Sequence, residues 1–217
     1  MIGFDIGFDP EIAKKLQISL SLYVSTSGID VSKVRYVAGL DVSYAGDSGL
    51  AVATLLSYPQ LDLIEYVVVK GEVKIPYIPG LLAFREAPLL IKACELLSLR
   101  PDLLVVDGHG VTHPRKFGIA SHIGVVLDTA SIGVAKSLLY GKVVSSGSEN
   151  LLMVGDFVGG LVVERDRKRL YFSIGHKVNI DNLREFSKTL FKGHDLPEPT
   201  YYADKISKQV RNRAVKR

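Results

Sequence analysis

The sequence has no tryptophan, a single cysteine and no long uninterrupted apolar run. Cys94 has no partner for an internal disulfide, so we expect a fold that needs none and a reducing compartment. A membrane-spanning helix needs about 18 or more consecutive apolar residues, and none occur. The first twelve residues, MIGFDIGFDPEI, carry acids where a secretory signal carries basic residues. We therefore expect a cytoplasmic protein without a membrane partner.

The charge is unevenly distributed along the chain. The formal net charge is +4 over 217 residues, but acids exceed bases up to residue 164 and bases exceed acids from residue 165 onward. A basic C-terminal part is typical of proteins that attract phosphate backbones, although a solvated surface without a ligand has the same composition. Length and composition indicate one domain over residues 1–217, which we expect to be a monomer with a flexible basic tail at 211–217.

Hydrophobic periodicity predicts a mixed α/β fold. A first helix is predicted over residues 10–22, with Ile12, Leu16 and Leu20 as its apolar stripe. Three β-rich runs with short connections, RYVAGLDVSYA, LAVATLLSY and LIEYVVVKGEV, predict an antiparallel meander. The run PDLLVVDGHG predicts a buried parallel strand. The remaining predictions are helices at 80–99, 117–127, 180–191 and 199–212, and strands at 131–134, DFVGGLVVER and KRLYFSIG.

This order of elements predicts a ribonuclease H-like mixed sheet, with three antiparallel strands followed by parallel strands and flanked by helices. Such a sheet surrounds a cluster of carboxylates. Three acids occupy positions that suit this cluster. Asp41 interrupts an apolar strand, where an ionised carboxylate is costly unless a cation or strong donors compensate. Asp107 ends a buried strand, and Glu86 lies on the helix that follows the meander.

Each acid also has an ordinary interpretation. Asp41 could belong to a bulge, Asp107 could cap a loop and Glu86 could be a solvated helix residue. If the first and fourth strands are neighbours, however, Asp41 and Asp107 lie at one end of the sheet. Converging carboxylates repel one another and favour a hard divalent ion such as Mg²⁺.

The stretch DGHGVTHPRKFGIASH, residues 107–122, is dense in hydrogen-bond donors. Its glycines allow a ligand close to the backbone, and its histidines can donate to a phosphate or a base. His109 and His113 have a spacing that zinc ligands can share, but Pro114 follows at once and no cysteine is near, so magnesium is favoured. Lys136 is either a solvated lysine or a group that holds a phosphate or a water near the acids.

The segment KIPYIPGLLAFRE fixes Tyr77 between Pro76 and Pro79. Proline restricts φ and removes a donor, so the pair predicts a rigid loop. The loop either packs its tyrosine on the core or projects it outward.

Five stretches resemble signature blocks of the endonuclease V family and occur in that family's order. They are YVAGLDVSY, PYIPGLLAFRE, DGHGVTHPRKFGIASH, IGVAKSLLYG and PEPTYYAD. The resemblance is continuous from Tyr36 to Tyr140 and weak just after it. It implies a ribonuclease H-like fold and a DNA-repair endonuclease that uses Mg²⁺, with Mn²⁺ able to substitute. The implied reaction cleaves the second phosphodiester bond 3′ to deoxyinosine, leaving a 3′-hydroxyl and a 5′-phosphate.

The resemblance also implies roles for individual residues. The acids Asp41, Glu86 and Asp107 match metal-binding and catalytic acids, and Lys136 matches an active-site lysine. Asp204 lies where members carry a histidine or an aspartate, which makes it a fourth candidate metal ligand.

The implied substrate contacts lie in the same blocks. Tyr77 matches a wedge that fills the space of a flipped base, and His113 matches a histidine of the lesion and metal region. The base pocket is implied to include Gly80, Leu82, Gly108 and Ile119. His109 lies where other members can have glutamine, so no role is implied for it. Two alternatives stay open: an endoribonuclease that acts on inosine-containing RNA, and a nucleic-acid-binding protein that does not cut.

Overall fold

One mixed sheet runs through the part of the chain that the computed structural model describes, residues 7–165 and 168–215. Its strands lie in the order β3-β2-β1-β4-β5-β9-β8-β7-β6. The strands are β1 (Tyr36–Ala45), β2 (Ser48–Ser57), β3 (Leu63–Glu72), β4 (Leu103–Asp107), β5 (Ala130–Ala135), β6 (Lys142–Ser146), β7 (Glu149–Val154), β8 (Phe157–Arg165) and β9 (Lys168–His176). The α-helices are α1 (Pro10–Ser21), α2 (Leu82–Glu95), α3 (Ile119–Val126), α4 (Ile180–Thr189) and α5 (Glu198–Val215), and a short 3₁₀ helix spans Val31–Lys33.

The predicted fold class is confirmed. Strand β2 pairs antiparallel with both β1 and β3, which gives the expected meander. Strand β4 then pairs parallel with β1, and β5 pairs parallel with β4. The parallel part ends there, because β9 pairs antiparallel with β5 and the remaining strands continue antiparallel.

Two strands were not predicted from the sequence. The hairpin of β6 and β7 turns at Gly147, which has a φ of 60°, and it forms the far edge of the sheet. Every residue of β6 is exposed, so the strand has no apolar face to produce the alternation that identifies a half-buried strand.

The first helix begins as predicted, but it packs through a different face. Asp9 caps it by accepting hydrogen bonds from the backbone N–H groups of Glu11 and Ile12. The buried residues are Ala13 and Gln17, whereas Ile12 of the predicted stripe is 64% exposed. The stripe prediction is therefore wrong, and a polar residue takes the inward position.

The other predicted helices are confirmed with shifted ends. Helix α2 begins at Leu82 because Gly80 has a φ of +80°, which a right-handed helix does not accommodate. Helix α5 continues to Val215, so most of the stretch 211–217, predicted as a flexible tail, is helical. Residues 216–217 lie outside the described part of the chain.

Apolar layers cover both faces of the central strands. On one face, Leu90 of α2 and Ile123 of α3 belong to a cluster with Leu40 and Leu104. On the other face, residues of α4, including Phe186, pack with Phe172 and other residues of the sheet. No helix of the described residues is long and apolar enough to cross a membrane.

Helix α5 makes an unusually close contact with β1. A Cβ atom on Gly39 would lie 1.9 Å from the carbonyl oxygen of Pro199, so only glycine permits the first turn of α5 to approach this strand. The hydroxyl of Thr54 on β2 donates to the same carbonyl at 3.1 Å. This contact places the next turns of α5, with Asp204 and Ser207, beside Asp41.

Candidate active site and base pocket

Four acids from four elements meet at one end of the parallel strands. The register of β1 and β4 pairs Leu40 with Val106, so the residues that follow, Asp41 and Asp107, are neighbours. Helix α2 contributes Glu86 and helix α5 contributes Asp204. The acids interact electrostatically: in addition to burial, Asp107 and Asp204 raise the pKa of Asp41, and Asp41 and Asp107 raise the pKa of Glu86.

Burial makes two of these carboxylates hard to ionise. Burial raises the pKa of Asp41 to about 6, although the hydrogen bond of 2.6 Å that the Ser207 hydroxyl donates to this carboxylate lowers the pKa. Burial likewise raises the pKa of Glu86 to about 7, although the hydrogen bond of 2.7 Å that the Tyr44 hydroxyl donates lowers the pKa. Without a cation, both groups are therefore partly protonated in the range in which ordinary carboxylates are fully ionised.

Lysines partly neutralise the other two acids. The Nζ atom of Lys136 lies 2.8 Å from Oδ2 of Asp107 and 3.8 Å from Oδ1 of Asp204. Lys208 lies 2.7 Å from the second oxygen of Asp204. Burial lowers the pKa of Lys136, but the neighbouring acids, Asp107 foremost, raise it above its ordinary value, so the lysine is charged.

The chemistry of this donor set fits a hard divalent cation. Carboxylate oxygens are the ligands that Mg²⁺ and Mn²⁺ prefer, and a cation would relieve the repulsion that raises the pKa values of Asp41 and Glu86. Within the described residues, no three His, Cys, Asp or Glu side chains are already arranged as a metal site. Lys136 bridges Asp107 and Asp204, so its ion pairs would have to loosen for both acids to become ligands.

A cavity of about 300 Å³ opens directly beside the acid cluster. Its wall includes Asp107 of the cluster and Lys136, the lysine that pairs with this acid. All six predicted substrate contacts line it: Tyr77, Gly80, Leu82, Gly108, His113 and Ile119. The structure thus brings the predicted pocket residues together around one concave site, with a size suited to one small ligand.

Tyr77 does not pack on the core. Its side chain is 67% exposed at the cavity, which agrees with the outward-projecting interpretation of the proline-flanked loop. The loop is anchored behind it, because the Arg85 guanidinium donates to the carbonyl of Ile75. The same guanidinium donates to the Tyr44 hydroxyl at 3.0 Å.

His109 and His113, in the loop between β4 and α3, direct their ring nitrogens to hydrogen-bond partners within the protein. His113 lies 2.9 Å from the Gly80 carbonyl through Nε2, so Nε2 carries the proton, and the Arg115 N–H donates to Nδ1 at 3.2 Å. His109 bonds the Ser137 carbonyl and the Thr112 hydroxyl, each at 3.0 Å. Burial lowers the pKa of His113 to about 4 and lowers that of His109. Both rings are therefore neutral, and their inward bonds disfavour a zinc pair.

Three polar residues of the site were not predicted. Tyr44 and Ser207 hold the carboxylates of Glu86 and Asp41, and Gln17 lines the cavity from α1. Tyr44 follows Asp41 by three residues and Ser207 follows Asp204 by three, so proximity to predicted acids was the available signal. For Gln17, the sequence offers no signal other than its position on the predicted first helix.

Converging acids at the end of β1 and β4, on a mixed sheet of this order, define a ribonuclease H-like nuclease. The family model for endonuclease V matches residues 18–205. The chain belongs to the endonuclease V family, whose members are endonucleases.

Individual relatives agree over nearly the whole chain. Endonuclease V of Desulfurococcus amylolyticus is 43% identical over 210 residues, which are 94% of this chain and 96% of the relative. The crystal structure of endonuclease V from Streptomyces avermitilis superposes with a TM-score of 0.88 at 32% identity, covering 98% of this chain and 97% of that chain.

A further structure contains nucleic acid. Endonuclease V of Ciona intestinalis, in complex with a 24mer DNA containing an inosine followed by a ribo-adenosine, superposes with a TM-score of 0.85 at 29% identity. The superposition covers 95% of this chain and 100% of the Ciona chain.

Proposed function

We propose that this protein is a metal-dependent endonuclease of DNA repair that recognises deoxyinosine. It cleaves the second phosphodiester bond 3′ to that base and leaves a 3′-hydroxyl and a 5′-phosphate. The observation that carries the proposal is the shared wall of the base-sized cavity and the acid cluster, formed by Asp107 and Lys136. The inosine-containing DNA bound to the Ciona relative supports the choice of substrate.

The acids are the proposed ligands of the metal. Asp41, Glu86 and Asp107 would hold Mg²⁺, with Mn²⁺ able to substitute, and Asp204 would complete the set from α5. When bound, such a cation supplies Lewis-acid activation of water and stabilises charge at the scissile phosphate.

Lys136 has a separate part in this proposal. Its side chain is 52% exposed and lines the cavity while its Nζ atom contacts Asp107, so a phosphate can reach it from solvent. With Asp107 and Asp204 engaged as metal ligands, Lys136 would be available to contact the phosphate that is being cut. The positive charge then lies where negative charge develops.

The cavity is the proposed site for the extruded base. Extrusion costs a few kcal/mol and less for a poorly paired base such as hypoxanthine. Tyr77, which projects at the opening, would stack in the space that the base leaves. Gly80 and Gly108 bring backbone groups close to the base edge, while Leu82 and Ile119 supply apolar walls. Because its polar atoms bond the protein, His113 would contribute ring surface to the wall.

Discrimination among purines would follow from the exocyclic groups. Hypoxanthine presents an O6 acceptor and an N1 donor where adenine presents the reverse, and guanine adds a 2-amino group. Steric or polar rejection of a group at C2, an amino group in guanine and an oxygen in xanthine, predicts weak cutting at deoxyxanthosine and almost none at deoxyguanosine. Equal cutting at deoxyinosine and deoxyguanosine would contradict this account of selectivity.

The test is a cleavage assay on end-labelled duplexes with one central deoxyinosine, in Mg²⁺, in Mn²⁺ and in EDTA. Wild type should cut one nucleotide beyond the base on its 3′ side, and only with metal. Asp41→Ala and Asp107→Ala should bind the duplex but not cut it. Asp62→Ala is the matched control, because this exposed acid lies in the β2–β3 turn, beside the start of β1 and away from the cluster.

The same assay separates the open alternatives. An RNA strand of the same sequence with one inosine identifies an endoribonuclease if it is cut faster than the DNA duplex. Binding of the inosine duplex by the wild type without cutting in either metal would favour a binding protein and refute the proposed enzyme.

A further inference from the structure

Gln17 is a polar residue that is almost completely buried. The side chain is 1% exposed on α1, at a position where the helix would be expected to present an apolar residue to the core. A buried amide is destabilising unless its donors and acceptor find partners. The partners of Gln17 therefore indicate what the residue does.

All of the hydrogen bonds of the Gln17 amide reach the loops of the base pocket. Its Nε2 group donates to the carbonyl of Gly80 at 3.1 Å and to the carbonyl of Phe117 at 3.1 Å. Its Oε1 atom accepts from Nε of Arg115 at 2.6 Å. One side chain thus joins the segment before α2 to the segment before α3, and residues of both segments line the cavity.

The carbonyl of Gly80 is the centre of this network. It accepts from Gln17, from Nε2 of His113 at 2.9 Å and from Nη2 of Arg115 at 2.7 Å. Gly80 has a φ of +80°, and an added Cβ atom would lie 2.9 Å from the Arg115 guanidinium. Three converging donors and a glycine-dependent backbone hold this peptide group in one orientation.

We propose that Gln17 is a positioning residue of the base pocket, which fixes the Gly80 and Phe117 carbonyls relative to each other and so sets the preference of the pocket for its base. This inference rests on the proposed function. A pocket that reads a base through other backbone groups of these two segments can discriminate only if the segments do not move to fit a wrong base. Gln17 supplies that restraint from outside the two loops.

Gln17→Glu is the informative substitution. It retains an oxygen to accept from Arg115 but replaces the amide donor with an oxygen that faces two carbonyl oxygens. Gln17→Met removes the donors without adding charge and serves where the glutamate variant does not fold. Gln60→Glu makes the same chemical change at an exposed residue of the β2–β3 turn and is the matched control.

The assay is fluorescence anisotropy in EDTA, which separates binding from chemistry. The probes are two duplexes that differ only in one central base, deoxyinosine or deoxyadenosine. Selectivity is the dissociation constant for the deoxyadenosine duplex divided by the dissociation constant for the deoxyinosine duplex. For Gln17→Glu and Gln17→Met, this ratio should fall by about tenfold or more. Affinity for the deoxyadenosine duplex should stay within about twofold of wild type, and Gln60→Glu should not change either value.

The outcomes separate this inference from the proposed function. A purely structural role for Gln17 would lower the unfolding temperature but leave the ratio of dissociation constants of the folded variants unchanged, and that result overturns the inference alone. A wild type that binds both duplexes equally overturns the proposed function and this inference with it. A lowered ratio in a folded Gln17 variant, with an unchanged control, supports the inference.

Discussion

Replacing Glu86 with glutamine should stabilise the metal-free protein at pH 8. Glu86 is 8% exposed, and burial together with Asp41 and Asp107 raises the pKa of its carboxyl group from 4.5 to about 7. The glutamine side chain of the Glu86→Gln variant would be neutral at every pH and still able to accept the hydrogen bond that the Tyr44 hydroxyl now donates at 2.7 Å. The substitution therefore removes the penalty of a buried charge and keeps the contact.

The magnitude follows from the pKa. A rise from 4.5 to about 7 corresponds to about 3 kcal/mol at about 1.36 kcal/mol per pH unit. The native state binds this proton more tightly than the unfolded state, so wild-type stability falls as pH rises from about 4.5 to about 7. Below that window the carboxyl group is neutral in both states and the penalty is absent; above it the full penalty is present.

The measurement is urea unfolding in EDTA at pH 4 and at pH 8. The free energies of unfolding of Glu86→Gln and wild type should agree at pH 4 and differ by about 3 kcal/mol in favour of the variant at pH 8. Glu95→Gln, an exposed position on the same helix, should show no such pH-dependent difference. With Mg²⁺ in place of EDTA, wild type should gain more stability than Glu86→Gln, because a ligand bound only to the native state stabilises it.

One result would refute this reasoning. If Glu86→Gln were no more stable than wild type at pH 8 in EDTA, the carboxylate would already be compensated inside the protein. The acid cluster would then have no electrostatic need for a cation, and the physical argument for a metal site would fail.

Three further predictions concern the packing of α5, a buried histidine and the projecting tyrosine. Gly39→Ala should lower the free energy of unfolding by roughly 2–4 kcal/mol and slow cleavage, because its Cβ would lie 1.9 Å from the Pro199 carbonyl oxygen. The control is Gly193→Ala, where a Cβ meets nothing within 4 Å. Equal denaturation midpoints of the two variants would contradict the prediction. Burial lowers the pKa of His122 to about 4, below its unfolded value, so stability should be lost as pH falls from about 6.5 to about 4, and His122→Leu should flatten that part of the stability curve measured by urea unfolding. Tyr77→Ala should leave the unfolding midpoint unchanged but weaken binding of a deoxyinosine duplex by about tenfold or more, whereas Glu86→Ala should chiefly slow single-turnover cleavage at saturating enzyme; equal losses of that rate would show that the two residues do not divide binding from chemistry.

Local pattern predicts the central sheet and makes two of the acids conspicuous, although it leaves an ordinary interpretation open for each acid. Strands β1 and β4 are recognisable because they are buried on both faces, and an apolar run of that kind has few alternatives. Asp41 is conspicuous for the same reason, since a charge within such a run requires compensation. The position of Asp107 at the end of β4 then placed a second acid beside it, provided that the two strands were neighbours.

The features that were missed depend on contacts between distant residues. The inward face of α1 is decided by an amide that bonds Phe117, 100 residues along the chain, and no local hydrophobic pattern contains that information. The same holds for Ser207, whose hydroxyl reaches Asp41 across 166 positions. Strand β6 was missed for the opposite reason, since its exposed residues are not constrained to alternate.

The arrangement of the two sites along the chain has a consequence for where cleavage occurs on the proposed function. Leu82 lines the cavity and Glu86 belongs to the acid cluster, and these residues are four apart on one face of α2. Gly108 lines the cavity directly after Asp107, which ends β4. Helix α2 and the end of strand β4 thus each carry an acid at a fixed covalent distance from a residue that lines the cavity. If the protein has the proposed function, the separation between the bound base and the cleaved phosphate would be set by the rigidity of a helix and a buried strand, and a constant cleavage position would need no additional moving part.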